Sequence, residues 1–267
     1  MNFQFNNFQT KQETISIINF IKSTLRKQGF KKVIIPVSGG VDSSLCLLLL
    51  TKTIKSKNIF VVKLPSAKQN MKLADKVIKQ AKIPQKNVME INIGKIVNKI
   101  ASLLHCFIVN KKNQIRLGNI MARTRMIITY DLAKKHSALV CGTENKSEHM
   151  LGYFTRFGDE ASDLEPIRHL YKTQVYQLAE YLGVPKEIIN QPPSAGFWPG
   201  QTDEKEFGFT YKEADQVLYL YFEKKLGKDK IAQLLKTTMK QCNNEAMKKI
   251  ISWVRKNKFK QEVPYSL

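Results

Sequence analysis

The sequence contains few cysteines, no long apolar run and no segment with the features of a secretory signal. The cysteines are Cys46, Cys106, Cys141 and Cys242, which form neither a C-x-x-C pair nor a zinc-ligand spacing, so we expect reduced thiols in a cytoplasm. The longest uninterrupted apolar stretch is residues 45–50, whereas a membrane-spanning helix needs about 20 apolar residues. The opening segment MNFQFNNFQTKQET has neither a basic nor an apolar region. These absences predict a protein without a membrane span or a disulfide framework.

Acidic residues are also scarce relative to basic ones. Lys and Arg number 44 against 22 Asp and Glu, which gives a formal net charge of +22. Such a charge fits nucleic acid, a membrane surface or an anionic small substrate. Only seven of the basic residues are Arg, and the lysines form no run of five or more. Nucleic-acid-binding surfaces more often concentrate Arg. We therefore favour the interpretation that the lysines lie on solvated faces, and nucleic-acid binding is kept as the alternative.

Short β-branched runs alternate with helical segments in the first half of the chain. KKVIIPVSGG, IFVVKLP, VMEINI and SALVCGT predict buried strands, and the segments between them have helical periodicity. This alternation predicts an α/β fold with a doubly wound parallel sheet covered by helices on both faces. The polar patch at residues 110–114 is predicted to be a loop, and residues 191–209 a long connection in an otherwise helical last third. No linker-like segment divides the chain, so we expect one domain over residues 1–267.

The motif S-G-G-V-D-S-S at residues 38–44 lies between a predicted strand and a predicted helix. Two glycines let the backbone N–H groups converge, and the helix N-terminus adds partial positive charge, which together make an anion-binding cradle. Asp42 would repel a phosphate unless it holds a Mg²⁺ ion that bridges the phosphates. The motif therefore predicts a magnesium–nucleotide site, and it lacks the spacing of a Walker A loop.

This loop resembles the pyrophosphate-binding loop of the N-type ATP pyrophosphatases, which cleave ATP between the α- and β-phosphates. Later segments are similar, in content and order, to those of the ammonia-dependent NAD synthetases within that group. They are G-N-I-M-A-R-T-R-M (118–126), G-T-E-N-K-S-E (142–148), G-Y-F-T-R-F-G-D (152–159), D-L-E-P-I (163–167), K-T-Q-V (172–175) and P-P-S (192–194). The resemblance extends from about residue 16 to residue 264. It implies a Rossmann-like sheet of five strands and a homodimer.

The resemblance also implies which residues form the site. Asp42 and Lys172 would be catalytic, and Asp42 and Glu148 would hold Mg²⁺. The residues that would contact ATP are Pro36, Val37, Ser38, Gly39, Gly40, Val41, Asp42, Ser43, Thr143, Lys172 and Ser194. The residues that would contact deamido-NAD⁺ are Arg123, Arg156, Asp163 and Lys260.

Three of these substrate positions need comment, because a neighbouring residue competes for the role or the sequence departs from that of the relatives. Arg123 and Arg125 lie about 200° apart around a helix, so only one can face the site. The resemblance selects Arg123 and leaves Arg125 to a surface or interface ion pair. Arg156 stands where the relatives carry Lys, and the positive charge is kept. Lys260 matches the Lys of a C-terminal His-Lys pair, but Phe259 stands where the His is expected.

The reaction implied by the resemblance is the ATP-dependent amidation of deamido-NAD⁺ with ammonia. An acyl-adenylate would form with loss of pyrophosphate, and ammonia would convert it to NAD⁺ and AMP. Residues 191–209 would close over the adenylate. The chain has no room for a glutaminase domain, so we expect free ammonia or a separate glutaminase partner. The alternatives are a tRNA-modifying ATP pyrophosphatase and a non-catalytic nucleotide-binding module.

Overall fold

The computed structural model describes residues 8–66, 69–106, 110–198, 200–238, 244–262 and 265. Its strands are β1 (Val33–Pro36), β2 (Ile59–Lys63), β3 (Val88–Glu90) and β4 (Leu139–Val140). Its helices are α1 (Thr10–Lys27), α2 (Val41–Thr53), α3 (Lys72–Gln80), α4 (Gly94–Leu103), α5 (Lys111–His136), α6 (Lys146–Leu151), α7 (Lys172–Tyr181), α8 (Lys186–Ile189), α9 (Asp203–Phe207), α10 (Tyr211–Leu218), α11 (Lys228–Thr238) and α12 (Asn244–Asn257). The elements alternate as the sequence predicts in the first half and are helical afterwards.

The sheet has the order β3-β2-β1-β4, and every pair is parallel. Val33 in β1 is in register with Ile59 of β2 on one side and with Leu139 of β4 on the other. From β1 the chain therefore winds outward through β2 and β3, and then returns to the opposite side of β1. The predicted doubly wound α/β fold is confirmed, and its topological switch point lies between the carboxyl ends of β1 and β4.

The expected fifth strand is wrong, since the described residues form a four-stranded sheet. Beyond β4, the pairing continues only as an isolated parallel bridge between Cys141 and Leu164. The N–H of Gly142 donates to the carbonyl of Leu164 at 2.9 Å. Pro166 follows two positions later and has no N–H to donate, so a longer ladder cannot form there.

The two faces of the sheet are covered by different helices. On one face, Val33 and Ile35 pack in a core cluster with α1, α2 and α7. On the other face, Ile34 packs in a separate cluster with residues of α4 and α5. The apolar run at residues 45–50 is buried on all sides because α2 lies between the sheet and α1 and α7.

Two connecting segments are more helical than the sequence predicts. The loop predicted at residues 110–114 is wrong, because α5 begins at Lys111. The side chain of Asn110 accepts from the N–H of Asn113 at 2.9 Å and caps that helix, so the polar patch is a helix start. Within residues 191–209, Thr202 caps the short helix α9, which Gly208 ends at φ +74°. The closing motion of this segment stays a prediction.

Residues of α6 and of α9 to α12 form a third cluster around Tyr211, Phe207 and Trp253. The capping box predicted at Thr210 and Glu213 is confirmed at the start of α10. Within the part of the chain that the structure describes, every helix is too short or too polar to cross a membrane. Free thiols are present, as predicted, at the three buried cysteines Cys46, Cys106 and Cys141. Cys242 lies outside the described residues.

Candidate active site

The predicted cradle follows β1 at the switch point of the sheet. Gly39 has φ +87°, and a Cβ there would lie 2.8 Å from the backbone nitrogen of Ala74, so both the turn and the close approach need glycine. The hydroxyl of Ser43 lies 3.2 Å from that of Ser38 and donates to the carbonyl of Gly40. Gly40 is the N-cap of α2, so the first N–H groups of that helix border the loop. This geometry is compatible with the anion-binding cradle that the motif predicts, and anion binding itself stays a prediction.

Asp42, Glu148 and Lys172 meet beside the cradle. The ammonium of Lys172 lies 2.6 Å from Oδ2 of Asp42 and 3.0 Å from Oε1 of Glu148. The Lys172 side chain is 3% exposed, and those of Asp42 and Glu148 are 17% and 18% exposed. The structure therefore brings together the three residues that the sequence analysis assigns to catalysis and to the metal. They come from α2, α6 and α7, so the site forms only when these helices pack together.

Asn145 positions both carboxylates, and the sequence analysis missed it. Its side-chain Nδ2 donates to Oδ1 of Asp42 at 3.0 Å. Its Oδ1 accepts from the N–H of Glu148 at 3.0 Å, while its own N–H donates to Oε2 of Glu148. This is a capping box at the start of α6. The signal was present in N-K-S-E, a capping residue followed three positions later by Glu.

The charges in this cluster depend on one another. Burial raises the pKa of Glu148. Burial also opposes the charged form of Lys172, but the Asp42 and Glu148 carboxylates outweigh it and raise the pKa of the ammonium well above its usual value. Lys172 is therefore a cation held between two carboxylates. The donor set of two carboxylates converging on one cation suits Mg²⁺, so Asp42 and Glu148 fit the predicted metal site.

A buried carboxylate on α10 supports the cluster from behind. Asp215 is 1% exposed, and its Oδ1 accepts from the hydroxyl of Ser147 at 2.5 Å. Its Oδ2 accepts from the N–H and the hydroxyl of Thr173 at 2.9 and 2.8 Å. The hydroxyl of Ser147 in turn accepts from the backbone N–H of Lys172 at 2.8 Å. Asp215 thus fixes the first residues of α6 and α7, which carry Glu148 and Lys172.

The residues predicted to bind deamido-NAD⁺ form contacts among themselves. Nε of Arg123 donates to the carbonyl of Arg156 at 3.2 Å, and the Arg156 guanidinium lies 5.1 Å from the ring centroid of Phe259. The Lys260 ammonium donates to the carbonyls of Gly152 and Phe154 at 2.7 and 2.9 Å. The structure therefore gathers Arg123, Arg156 and the C-terminal pair at one place. Phe259 replaces the expected His with a surface on which Arg156 packs.

Thr143 and Asp163 lie beside β4, whereas Ser194 makes a separate local contact. Thr143 follows the Cys141–Leu164 bridge and is half-buried. Oδ2 of Asp163 accepts from the N–H of Val140 at 2.7 Å, so this side chain also ties its segment to β4. The hydroxyl of Ser194 accepts from the N–H of Gly196, and within the described residues it joins none of the contacts around Asp42.

Among the described residues, Arg125 forms hydrogen bonds and no ion pair. Its Nε donates to the carbonyl of Leu64 at 3.2 Å, and its NH2 donates to Oε1 of Gln69 at 3.1 Å. Its guanidinium lies 5.7 Å from the ring centroid of Phe197. Arg125 therefore joins the segment after β2 to the segment before α9. The ring of Phe197 packs against the core cluster on the α5 face of the sheet.

A cavity of about 640 Å³ opens beside Asp163 and is also lined by Tyr130, Phe157, Glu165 and Arg168. Glu165 accepts from the hydroxyl of Ser162 at 2.7 Å and from the N–H of Glu144 at 3.1 Å. Burial raises the pKa of Glu165 to about 8, which Ser162 only partly offsets. The folded protein therefore binds a proton at Glu165 more tightly than the unfolded chain does.

Glu165→Gln should remove a pH dependence of stability. Between the ordinary pKa of 4.5 and the folded value of about 8, the folded protein holds a proton that the unfolded chain releases. The stabilisation is complete below the lower value and is lost as pH rises to the upper one, by up to about 1.4 kcal/mol per pH unit. Urea unfolding across this range should show a smaller decline for Glu165→Gln than for the wild type or for exposed Glu180→Gln. Parallel declines for all three would contradict the prediction.

A glycine loop at the switch point of a parallel sheet, with two carboxylates and a buried lysine beside it, is typical of nucleotide-binding α/β enzymes. Comparison with known families identifies the family within this class of enzymes. The model of the NAD synthase family matches residues 13–264, and the chain belongs to this family. The match supports amide-bond formation, a ligase reaction, over the tRNA-modifying alternative.

Individual relatives agree with this assignment. The chain is 36% identical over 254 residues to an NH₃-dependent NAD⁺ synthetase of Fusobacterium nucleatum, with 93% of this chain and 92% of that protein covered. A structure of NMN synthetase from Francisella tularensis superposes with a TM-score of 0.80 at 30% identity and covers 98% of this chain and 99% of that one. An NH₃-dependent NAD synthetase from Campylobacter jejuni, solved with a nitrate ion, gives a TM-score of 0.76 at 27% identity, with coverages of 97% and 100%.

Proposed function

We propose that this protein makes NAD⁺ by amidating deamido-NAD⁺ with free ammonia at the expense of ATP. The observation that carries the proposal is the convergence of Asp42, Glu148 and Lys172 beside the Gly39–Gly40 cradle. A phosphate-binding loop alone would serve many nucleotide-binding proteins. A buried cation held between two carboxylates is suited to stabilising the negative charge of a departing pyrophosphate.

The proposed reaction has two steps. An oxygen of the nicotinate carboxylate attacks the α-phosphorus of ATP, the bond to the β-phosphate breaks, and pyrophosphate leaves with both bonding electrons. The N–H groups at the start of α2 and the Lys172 ammonium face the developing charge. Ammonia then attacks the acyl-adenylate carbonyl, AMP leaves, and the ammonium-derived nitrogen loses a proton to give the amide. Much of the rate enhancement would come from positioning and electrostatics, so no side chain is assigned as a covalent nucleophile.

Asp42 and Glu148 would hold Mg²⁺. When bound, Mg²⁺ would neutralise phosphate charge during pyrophosphate departure. Asn145 would keep both carboxylates in place through its contacts with Asp42 and Glu148. Asp215 would do the same for the start of α7 through Ser147 and Thr173.

The cavity beside Asp163 is the proposed site for the nicotinate-bearing substrate, with Arg123 and Arg156 at its phosphates. Two copies of the chain would complete it, because Phe20 and Phe157 line this cavity and are 43% and 56% exposed. Residues 1–267 would form a single amidating domain, and ammonia would come from solution or from a separate glutaminase in the cytoplasm. Residues 191–209 would close over the adenylate and exclude water.

A second candidate substrate is nicotinate mononucleotide, which the same chemistry would convert to NMN. The Francisella neighbour is an NMN synthetase. In this chain, the Lys260 ammonium that the resemblance assigns to the dinucleotide already binds the Gly152 and Phe154 carbonyls. Lys260 is therefore less available to contact deamido-NAD⁺, and this is a reason to test nicotinate mononucleotide as a substrate as well.

The deciding experiment measures pyrophosphate release by the purified protein with ATP, Mg²⁺ and ammonium. Deamido-NAD⁺ and nicotinate mononucleotide are supplied in separate reactions, and the amide products are quantified. We expect release to require a nicotinate substrate, with the higher kcat/KM for deamido-NAD⁺. A higher value for the mononucleotide would establish the second candidate. Pyrophosphate release that does not depend on either nicotinate substrate but is stimulated by tRNA would refute the proposed amidation.

A further inference from the structure

The Lys172 ammonium occupies the place between Asp42 and Glu148 at which the proposed function puts Mg²⁺. It lies 2.6 Å from Oδ2 of Asp42 and 3.0 Å from Oε1 of Glu148, so a cation that bridges these two oxygens would compete with it for the same position. With a side chain 3% exposed, Lys172 cannot simply move out into solvent. A metal ion that binds these carboxylates must therefore be accompanied by movement of the ammonium to another buried acceptor.

A buried carboxylate that could accept a further hydrogen bond lies nearby. Asp203, the first residue of α9, is 3% exposed, and its Oδ2 accepts from the hydroxyl of Tyr211 at 3.0 Å. Its Oδ1 is buried and accepts no direct hydrogen bond among the described residues, although the hydroxyl of Tyr153, which donates to Glu206, lies close enough to lower the pKa of Asp203. A buried carboxylate oxygen without a donor is costly, so a donor is expected there in some state of the protein.

Tyr211 contacts both residues: Lys172 lies over its ring, and Asp203 accepts from its hydroxyl. The Lys172 ammonium is 5.2 Å from the centroid of the Tyr211 ring, whose hydroxyl binds Asp203. The negative charge of Asp203 adds to the effects that raise the pKa of Lys172. A change of side-chain rotamer can carry a lysine ammonium several ångströms along such a face, which would keep it charged and partly shielded by the ring.

We propose that Asp203 is a positioning residue that receives the Lys172 ammonium when a divalent cation takes Asp42 and Glu148. This inference rests on the proposed function, since it assumes the metal site. In the metal-free protein, the positive charge of Lys172 offsets the repulsion between the carboxylates of Asp42 and Glu148. In the metal-loaded protein, Asp203 holds Lys172 beside the cradle until the phosphates of ATP arrive. Asp203 would then control how readily the metal binds without touching it.

The test is Mn²⁺ binding to the nucleotide-free protein, read from the electron paramagnetic resonance signal of free Mn²⁺. Lys172→Met removes the competing cation and should tighten Mn²⁺ binding about tenfold or more. Lys172→Gln, which keeps a polar end without the charge, should have the same effect. Lys146→Met is the matched control, because Lys146 lies on α6 and pairs with Glu223 away from the carboxylates. It should change the affinity by less than about threefold.

The role of Asp203 is tested by a double-mutant cycle. Asp203→Asn should weaken Mn²⁺ binding roughly three- to tenfold when Lys172 is present, and less than about twofold in the Lys172→Met background. Equal effects in both backgrounds would overturn the role of Asp203. Mn²⁺ binding no tighter in Lys172→Met than in the wild type would overturn the competition itself. Failure of the proposed function is separate, because it would be seen as absence of amide product in the wild-type turnover assay.

Discussion

Asp42→Asn is expected to lower kcat/KM for NAD⁺ formation by roughly 10² to 10³-fold. The substitution keeps the size of the side chain but removes the charge that contacts Lys172 at 2.6 Å. It also removes one of the two proposed metal ligands, so the departing pyrophosphate loses stabilisation from both. The measurement is steady-state pyrophosphate release with ATP, Mg²⁺, deamido-NAD⁺ and ammonium. The effect should fall mainly on kcat, because the cradle itself is made of backbone N–H groups.

Asp131→Asn provides the matched control for this experiment. Asp131 is exposed on α5 and belongs to none of the contacts around the cradle. Its replacement removes the same charge and should leave kcat/KM within about twofold of the wild type. An Asp42→Asn protein that folds normally and retains activity within threefold of the wild type would show that Asp42 does not have the assigned role.

Asp215→Ala is expected to lower the free energy of unfolding by about 3 kcal/mol. The truncation leaves three donors without their acceptor: the buried Ser147 hydroxyl, and the partly buried Thr173 hydroxyl and Thr173 N–H. Burial raises the pKa of Asp215 to about 6, so the wild-type carboxylate is mostly ionised at neutral pH only because these donors oppose the effect of burial. Urea unfolding at neutral pH measures the loss.

Asp215→Asn separates the lost hydrogen bonds from the lost charge. The amide keeps one acceptor oxygen, so this variant should lose less stability than Asp215→Ala. Both variants should also lower kcat, because Ser147 and Thr173 hold the start of α7 and hence Lys172. A loss of less than about 1 kcal/mol in Asp215→Ala would mean that water replaces the carboxylate at this position.

The sheet and the cradle are predictable because their signals are local. A β-branched run, two glycines and an apolar helix lie within residues 33–50, and together they specify a strand, an anion-binding turn and a buried helix. Asp42 is recognised because a carboxylate in such a turn needs a cation. Glu148 and Lys172 have no such local signal, and only the similarity of the motifs to those of a known family identifies them.

The supporting carboxylates could not be predicted in the same way. Asp203 and Asp215 lie in polar helical stretches, D-E-K-E and K-E-A-D-Q, which resemble solvated surfaces. The burial of Asp215 depends on the packing of α10 against α6 and α7, and Asp203 is held by Tyr211 of α10, so both depend on contacts between helices. Residues 110–114 illustrate the opposite error, because Asn110 was interpreted as a loop residue although its side chain caps α5.

Lys172 and Asp42 are 130 positions apart in the chain, and the carboxylate that fixes the start of α7 lies further on, at Asp215. During synthesis from the N-terminus, the first strands and the glycine loop leave the ribosome long before their partners exist. A partly made chain would carry an anion cradle without the buried ammonium or its support. Competence to cleave ATP would therefore arise late, after α10 has been made. The order of the glycine loop, α7 and α10 along the chain would by itself prevent unfinished chains from cleaving ATP.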